Sequence, residues 1–483
     1  MNMKMMGRFI SQIIAIEAAF MVPALIISLG YGETPAAQAF ALTIGIMLAL
    51  AGMLYALCRR AGRLFGAREG LVCVALSWIV MSLLGALPFV LSGQVKSYID
   101  ALFEIVSGFS TTGSSVISNV EGLYKGILYW RSFSHWIGGM GVLVFLLAVL
   151  PGSKGSGFTM HLLRAESPGP DVGKLVPKMR QTAMILYLIY VALTVVNVIF
   201  LLAGGMHWLN ALCTAFGTAG TGGFGIYNDS MTRCSPFIQN VTTVFMFLFG
   251  INFSCYYLIL LGGIKNVWKD EELRLYVGLA VASVVALVLS IRPLYSSLEE
   301  TIRHAAFQVS SIMTTTGYTT TDFDQWSGFA KSILLMLMIV GACAGSTGGG
   351  FKCIRVVLLF KILRRNIRQI LNPNKVLVVR NNGKVVDEKV VSNINAYLAA
   401  YMIIIVLATL ILSLDGFSVE TNLSAVLATF NNIGPGMADV GPTCTYADYS
   451  VLSKLTMIVA MLAGRLEIFP ILILFSRSTW KRK

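Results

Sequence analysis

Four short segments of this sequence combine hydroxyl or small residues with a glycine. They are Ser110, Thr111, Thr112 and Gly113; Ala219, Gly220, Thr221 and Gly222; Thr314, Thr315, Thr316 and Gly317; and Asn431, Asn432, Ile433 and Gly434. A central glycine permits backbone angles that other residues resist, so successive carbonyl oxygens can turn to one side. Rings of such carbonyls replace the water shell of a monovalent cation. The pattern therefore predicts a four-segment filter for a dehydrated cation such as potassium.

A short apolar stretch precedes each segment and must position it. The four stretches cover residues 98–110, 208–218, 298–313 and 419–430. An apolar helix of this length is too short to cross a bilayer and is typical of a re-entrant segment. Its carboxyl end carries about half a negative charge, which would favour a cation on the ion path.

Close helix packing is the alternative explanation, because glycine, serine and threonine are common at helix contacts in membranes. One isolated segment would favour that explanation. Four segments in the same register, each between two spanning stretches, favour the filter instead. The segment at Gly317 is the most channel-like, whereas Pro435 and the two asparagines beside Gly434 would also suit a turn.

The composition places these segments in a membrane protein. Of 483 residues, 56% are hydrophobic and only 12% are charged, whereas a soluble domain is about 25% charged. This excludes a soluble multidomain enzyme and predicts an all-α membrane protein. We expect ten spans, near residues 9–30, 38–58, 71–92, 128–150, 181–203, 238–263, 275–292, 330–362, 392–413 and 452–475.

The basic residues indicate the orientation of these spans in the lipid bilayer. An alternating topology places 28 of the 37 lysines and arginines on one side and eight on the other, with Arg465 inside the last span. The positive-inside rule then predicts that both termini are cytoplasmic. Because the net charge of +14 lies beside the spans and not in one patch, it does not indicate nucleic-acid binding.

The central glycines are 109, 95 and 117 residues apart, and each period contains one span before the short helix and one after it. The spacing therefore predicts four copies of span, pore helix, filter and span, preceded by an extra hairpin. The expected units are the hairpin (1–68), repeat 1 (69–160), repeat 2 with a preceding cytoplasmic segment (161–272), repeat 3 with a basic loop (273–390) and repeat 4 (391–483).

Motifs beyond the filters extend this pattern over the whole chain. The sequence resembles the Trk/Ktr/HKT superfamily of potassium transporters, in particular its TrkH type. The resemblance rests on the filters and on WIGGMG (136–141), RAESPGP (164–170), AGSTGGG (344–350) and GRLE (464–467). It implies a K⁺-selective uptake subunit of the bacterial inner membrane, no enzyme activity and no organic cofactor. It also implies a homodimer and a cytosolic nucleotide-binding ring of the RCK/KTN (TrkA-like) type. Plant relatives that prefer sodium carry serine at the first filter glycine, so Gly113 favours potassium.

The eighth predicted span contains a glycine-rich break that includes Gly345, Ser346, Thr347, Gly348, Gly349 and Gly350. Each interior glycine costs a helix about 1 kcal/mol relative to alanine, so an unwound loop or a kink is expected. The resemblance implies an intramembrane gating loop under the third filter segment. Lys352 could extend its ammonium to the membrane interface or could hold the loop.

Arg465 lies deep in the last apolar run, where a charge costs at least about 2.5 kcal/mol. The resemblance implies an electrostatic barrier below the filter, and a buried structural ion pair is the alternative. Glu467, two residues further on, is more suited to other polar neighbours than to Arg465.

Two basic segments, residues 154–178 and 352–389, are candidate contact surfaces for the ring. Asn381, Asn382 and Gly383 predict a hairpin in the second one. Asp100 and Glu104, at the first pore helix, are expected to be cap and mouth charges.

A coupled secondary transporter (H⁺ or Na⁺ with K⁺ or Na⁺) is the alternative function. Such a transporter predicts paired broken helices, whereas this sequence predicts only one broken span.

Overall fold

The computed structural model describes residues 3–59, 67–141 and 179–480, and these residues form a bundle of helices with one small hairpin. The helices before residue 270 are α1 (Met3–Gly30), α2 (Thr34–Leu57), α3 (Ala67–Gly85), α4 (Leu87–Leu91), α5 (Tyr98–Phe109), α6 (Lys125–Met140), α7 (Met179–Ala203), α8 (Trp208–Ala219), α9 (Pro236–Phe249), α10 (Phe253–Leu260) and α11 (Ile264–Val267). Those that follow are α12 (Glu271–Ile291), α13 (Leu298–Met313), α14 (Gly328–Val340), α15 (Cys353–Leu371), α16 (Glu388–Leu412), α17 (Val419–Phe430), α18 (Val451–Arg465), α19 (Phe469–Phe475) and α20 (Arg477–Trp480). Short 3₁₀ turns lie at Arg292–Leu294, Phe323–Gln325, Ser413–Asp415 and Ala438–Val440.

Within the described residues, six helices are long and apolar enough to cross a membrane, or seven if the bent pair α9 and α10 counts as one span. Large apolar side chains on these helices point outward: Leu188 is 64% exposed and Leu289 is 77% exposed. In water such surfaces would be costly. The chain is therefore a multi-pass membrane protein whose outer face is suited to lipid.

The same order of elements occurs four times. A long outer helix (α3, α7, α12 or α16) leads to a short helix (α5, α8, α13 or α17), then to an irregular segment, then to an inner helix (α6, α9, α14 or α18). The four short helices match the predicted stretches to within one residue at each end. We call them the pore helices and the irregular segments that follow them the filter segments.

In the described parts of the chain three of the inner helices are interrupted, whereas the sequence suggested one broken span only. That expectation was wrong. Helices α9 and α10 meet at 89°, α14 and α15 are separated by residues 341–352, and α18 and α19 by residues 466–468. At the first break Asn252 begins a new helix, because its side chain accepts a hydrogen bond from the Ser254 N–H. The fourth predicted span, 128–150, corresponds to α6 as far as residue 140, and the rest lies outside the described residues.

The amino-terminal hairpin of α1 and α2 packs on repeat 1. Glu33, in the turn between the two helices, accepts hydrogen bonds from the Lys125 N–H at 2.7 Å and the Gly126 N–H at 3.2 Å. A carboxylate at this position satisfies the first N–H groups of α6 and suits the positive end of its dipole. The hairpin thus fixes the start of the first inner helix.

The predicted β-hairpin is present as β1 (Arg380–Asn381) and β2 (Lys384–Val385), with Arg380 opposite Val385. The turn residues Asn382 and Gly383 both have positive φ, 48° and 79°. Asparagine and glycine tolerate this conformation, which a tight hairpin turn requires.

Candidate functional site

The pore helices begin and end in a way that fixes the filter segments. Ser97, Ser297 and Ser418 cap three of them, each accepting a hydrogen bond from an N–H of the first turn. Serine is a strong helix N-cap because its oxygen satisfies an otherwise unpaired donor. The second pore helix has His207 at this position and no side-chain cap.

Each filter segment leaves its pore helix through the same backbone path. Its second residue is left-handed, as in Thr111 (φ 57°), Thr221 (51°), Thr315 (59°) and Asn432 (57°). Its third residue donates an N–H bond of 2.8 Å back to the helix, as in Thr112 to Ser107, Gly222 to Gly217, Thr316 to Ser311 and Ile433 to Ala428. Its fourth residue is a glycine with positive φ, namely Gly113 (83°), Gly223 (71°), Gly317 (86°) or Gly434 (106°).

This register corrects the second predicted segment. Ala219 is the last residue of α8, and the residue equivalent to Gly113 is Gly223, not Gly222. The sequence offers two adjacent glycines, and the pore helix runs one residue further than predicted. Gly222 is needed for another reason, since a methyl group there would lie 2.2 Å from the His135 ring.

The four segments contact one another in a closed cycle. A methyl group added to Gly113 would lie 2.0 Å from the Gly222 carbonyl oxygen, and one added to Gly223 would lie 1.8 Å from that of Thr316. One added to Gly317 would lie 1.9 Å from the Ile433 oxygen, and one added to Gly434 would lie 2.9 Å from the Thr112 oxygen. Each glycine therefore packs against a carbonyl of the next segment around the ring. Only a residue without a side chain fits at the first three positions.

Buried polar groups support the first two segments from behind. Within α6, Arg131 Nε lies 2.5 Å from Glu104 Oε1, and Arg131 Nη1 donates to the Gly225 carbonyl at 3.0 Å. Glu104 also accepts the Val116 N–H at 3.0 Å. Glu104 is fully buried, so it belongs to a structural ion pair and is not a mouth charge as predicted. Removing one partner of such a pair costs about 3–5 kcal/mol.

His135 lies one helical turn after Arg131 and is also fully buried. Its Nδ1 is 2.8 Å from the Gly108 carbonyl oxygen, and its Nε2 accepts the Phe224 N–H at 3.3 Å. A single neutral tautomer satisfies both contacts. Neither residue was predicted from the sequence, although a charged and a titratable side chain four residues apart within an apolar span are a recognisable signal.

Polar contacts also join neighbouring repeats near the start of the inner helices. Lys454, the fourth residue of α18, forms an ion pair with Asp100 of the first pore helix, with Nζ 2.7 Å from Oδ1. Lys331, the fourth residue of α14, pairs in the same way with Glu420 of the fourth pore helix, with Nζ 3.1 Å from Oε1. The fourth residue of α9, Gln239, accepts from Arg303 in the third pore helix at 2.5 Å. Asp100 is therefore more than the predicted cap or mouth charge, because its ion pair with Lys454 connects repeat 4 to repeat 1.

Residues 341–352 form an irregular loop inside the bundle, where the sequence predicted a break. We call it the intramembrane loop. The Gly349 N–H donates to Thr315 Oγ1 of the third filter segment at 2.6 Å. A methyl group on Gly348 would lie 2.8 Å from the Thr314 oxygen, and one on Gly349 would lie 2.4 Å from the Asn431 oxygen. The loop therefore lies directly against the start of the third and fourth segments.

Two buried side chains hold this loop. Lys352 Nζ donates to the Gly348 carbonyl at 2.5 Å and is 2% exposed, which favours the loop-holding role over an interfacial one. Glu272, in the first turn of α12, accepts the Ala344 N–H at 2.6 Å and the Ile354 N–H at 3.1 Å. Glu272 was not predicted from the sequence; it holds both ends of the loop although it precedes its two partners by 72 and 82 residues.

Arg465, at the end of α18, spans the space between the loop and repeat 1. Its Nη1 donates to the Thr347 carbonyl at 2.7 Å, and its Nη2 donates to the carbonyls of Gly138 at 2.5 Å and Gly139 at 2.7 Å. The guanidinium therefore bridges repeats 3 and 1 with its own charge between them. Glu467 pairs with Arg355 of α15, in keeping with its expected preference for another partner.

Comparison with known proteins gives the family of this fold and site. A family model described as a cation transport protein, TrkH, matches residues 36–482. The chain belongs to the TrkH family. This confirms the resemblance and places the chain among cation transport proteins, not enzymes.

Relatives and a solved structure match this TrkH-family chain over all or nearly all of its length. It is 34% identical over 487 residues to the Trk system potassium uptake protein TrkH of Escherichia coli K12, with 100% of both chains covered. It is 31% identical over 471 residues to TrkG of the same strain, with 95% of each covered. The crystal structure of the potassium transporter TrkH from Vibrio parahaemolyticus matches with a TM-score of 0.89 at 31% identity, again over 100% of both chains. The all-α membrane fold is therefore confirmed.

Proposed function

We propose that this chain is the K⁺-selective conducting subunit of a Trk-type potassium uptake system in the bacterial inner membrane. The observation that carries the proposal is the closed cycle of four filter segments, in which each glycine touches a carbonyl of the next segment. The names of its relatives as potassium uptake proteins support the choice of ion. Backbone carbonyls around one axis would replace the water shell of K⁺.

The unit boundaries and orientation belong to the same proposal. The chain would consist of a hairpin (1–68) and four repeats (69–160, 161–272, 273–390 and 391–483), with both termini in the cytoplasm. The membrane potential would then drive K⁺ inward with about 2.3 kcal/mol per charge per 100 mV.

The intramembrane loop and Arg465 would keep the path closed. The loop lies against the third and fourth filter segments, and Arg465 joins it to α6. A cation leaving the filter would meet a positive charge and a backbone segment together. Opening would require Arg465 to release the Thr347 carbonyl and the loop to withdraw from Thr315.

The partners would be a second copy of the chain and a nucleotide-binding ring of the TrkA-like type. Helix α15 and the hairpin after it carry much of the basic charge of residues 352–389, and this segment leads directly from the loop. It is the proposed contact surface for the ring. The other candidate surface, residues 154–178, lies outside the described residues.

A coupled secondary transporter is the second candidate, and one observation favours it. Three inner helices are interrupted, and discontinuous helices are typical of secondary transporters. In this chain, however, the proposed ion site lies on the filter segments, outside those breaks. A requirement for a second ion gradient would distinguish the carrier from the gated pore.

Uptake of ⁸⁶Rb⁺ and ²²Na⁺ by the purified protein in liposomes tests the proposal. We expect Rb⁺ uptake to exceed Na⁺ uptake and to proceed on a Rb⁺ gradient alone. Gly113→Ser should lower this preference, because its side chain would meet the Gly222 oxygen and the backbone has φ 83°. Equal uptake of both ions by the unsubstituted protein would contradict potassium selectivity, and uptake that needs a Na⁺ or H⁺ gradient would favour the carrier.

A further inference from the structure

The carbonyl oxygen of Gly434 differs from those of the other three filter glycines. Ser114 Oγ donates to it at 2.9 Å, and the Tyr446 hydroxyl donates to it at 2.8 Å. Both donors are buried, with exposures of 1% and 2%. A carbonyl oxygen has two lone pairs, so these two hydrogen bonds use the acceptor capacity that a cation would otherwise need.

The carbonyls of Gly113, Gly223 and Gly317 have no such donors in the part of the chain that the structure describes. Among the residues that the structure describes, no side chain and no N–H group donates a hydrogen bond to any of these three oxygens. They stay available for a cation. The carbonyls of the four filter glycines, which we call the glycine ring, are therefore chemically unequal.

The geometry of the fourth segment agrees with this difference. Gly434 has φ 106°, against 71–86° for the other three. A methyl group added to Gly434 would lie 2.9 Å from the nearest carbonyl oxygen, which is the longest such distance among the four glycines. The residue that follows, Pro435, fixes its own φ. The fourth segment thus departs from fourfold symmetry at its carbonyl end.

Tyr446 is held firmly in the position from which it donates. Its N–H bonds to the Ser115 carbonyl at 2.9 Å, next to the other donor, Ser114. Its ring lies 5.8 Å from that of Phe103 and 6.3 Å from that of Tyr449. The Tyr446 N–H thus bonds to repeat 1 while its hydroxyl bonds to Gly434 of repeat 4, so Tyr446 connects the first and fourth filter segments.

We propose that Ser114 and Tyr446 are positioning residues that withhold the Gly434 carbonyl from the transported cation. The cation in the glycine ring would be coordinated by three protein carbonyls, with its fourth side left to water. This site would bind less tightly than a ring of four and would discriminate less between ions. The inference rests on the proposed function, because it presupposes a cation in the filter.

Tyr446→Phe tests this inference, because phenylalanine keeps the ring and removes the donor. One lone pair of the Gly434 carbonyl then becomes free to coordinate the ion. Since a net hydrogen bond is worth about 0.5–1.5 kcal/mol, we expect the half-saturating Rb⁺ concentration for uptake by liposomes to fall by roughly two- to tenfold. The ratio of Rb⁺ to Na⁺ uptake should rise. A merely structural role would lower the uptake of both ions and leave these two quantities unchanged.

Tyr449→Phe is the matched control, since its hydroxyl bonds to Asn422 Oδ1 of the fourth pore helix at 3.0 Å and not to a filter carbonyl. It should match the wild type in both quantities. An unchanged or raised half-saturating concentration in folded Tyr446→Phe would overturn the inference. Ser114→Ala removes the other donor, should shift both quantities in the same direction, and decides the matter if Tyr446→Phe does not fold. If the wild type itself fails to prefer Rb⁺ over Na⁺, the proposed function fails and not this inference alone.

Discussion

The proposed filter and the proposed closure, formed by the intramembrane loop and Arg465, are built on different principles. The filter uses backbone groups, and all four segments follow the same backbone path. In each of them the second residue is left-handed, the third donates a 2.8 Å bond to the pore helix and the fourth is a glycine. The closure uses side chains that occur once each, namely Lys352, Glu272 and Arg465. A site built from four similar backbone segments suits a spherical ion, whereas a closure built from single side chains can be released by moving one element.

This difference predicts that a change in the filter abolishes transport, whereas a change in the closure increases it. The largest effect is expected from Gly317→Ala. Its methyl group would lie 1.9 Å from the Ile433 oxygen, and the backbone has φ 86°. A shift of the segment by even a fraction of an ångström would break the carbonyl ring, so we expect Rb⁺ uptake by liposomes to fall by about a hundredfold or more.

Gly328→Ala is the control for that substitution. Gly328 is the first residue of α14, and nothing lies within 4 Å of an added methyl group. It should transport like the wild type. Substantial uptake by folded Gly317→Ala would show that the segments do not need their close contact.

The second prediction concerns the charge in the closure. Arg465→Ala should leave the fold intact and raise cation flux, because it removes a positive charge and three hydrogen bonds that join the loop to α6. A unit charge a few ångströms from the path contributes a few kcal/mol at the effective dielectric of a protein, so we expect an increase of about tenfold or more. Flux through reconstituted vesicles measures it.

Arg465→Lys separates the two contributions of the arginine, because it keeps the charge and loses the planar fork of donors. Its flux should lie between those of the wild type and Arg465→Ala. Unchanged flux in Arg465→Ala would remove the arginine from the closure.

The smallest of these effects is expected at Glu272, which touches the loop from outside. Glu272→Leu leaves the buried N–H groups of Ala344 and Ile354 without their acceptor. Because the loop keeps its bonds to Lys352, Thr315 and Arg465, we expect basal flux to rise by only roughly two- to fivefold. Glu272→Gln retains one oxygen that can accept both bonds and should remain close to the wild type. Equal behaviour of the two variants would exclude the acceptor role.

The same contrast explains what the sequence could predict. The pore helices were predicted to within one residue, because an apolar stretch followed by a glycine segment is a local signal that recurs four times. The register of the second segment was wrong, since Gly222 and Gly223 are adjacent and only the end of α8 distinguishes them. Repetition therefore revealed the filter but not its exact alignment.

The closure was predictable only in part. The glycine-rich break and Arg465 are visible as exceptions within apolar runs. Glu272, by contrast, reaches Ala344 and Ile354 across 72 and 82 residues, and no local pattern marks such a contact. The breaks in α9–α10 and α18–α19 were missed because each run is apolar on both sides of a short polar interruption, which is Asn252 in the first run and Arg465 with Glu467 in the second.

The proposed function requires a cation to bind among the carbonyls of the four filter segments. A crystal structure of the protein grown with Rb⁺, with anomalous scattering measured at the rubidium edge, tests it most directly. We expect anomalous peaks on the axis enclosed by the carbonyls of Thr112, Gly222, Thr316 and Ile433. A filter without such a peak, or a Rb⁺ bound instead at the breaks of the inner helices, would contradict it.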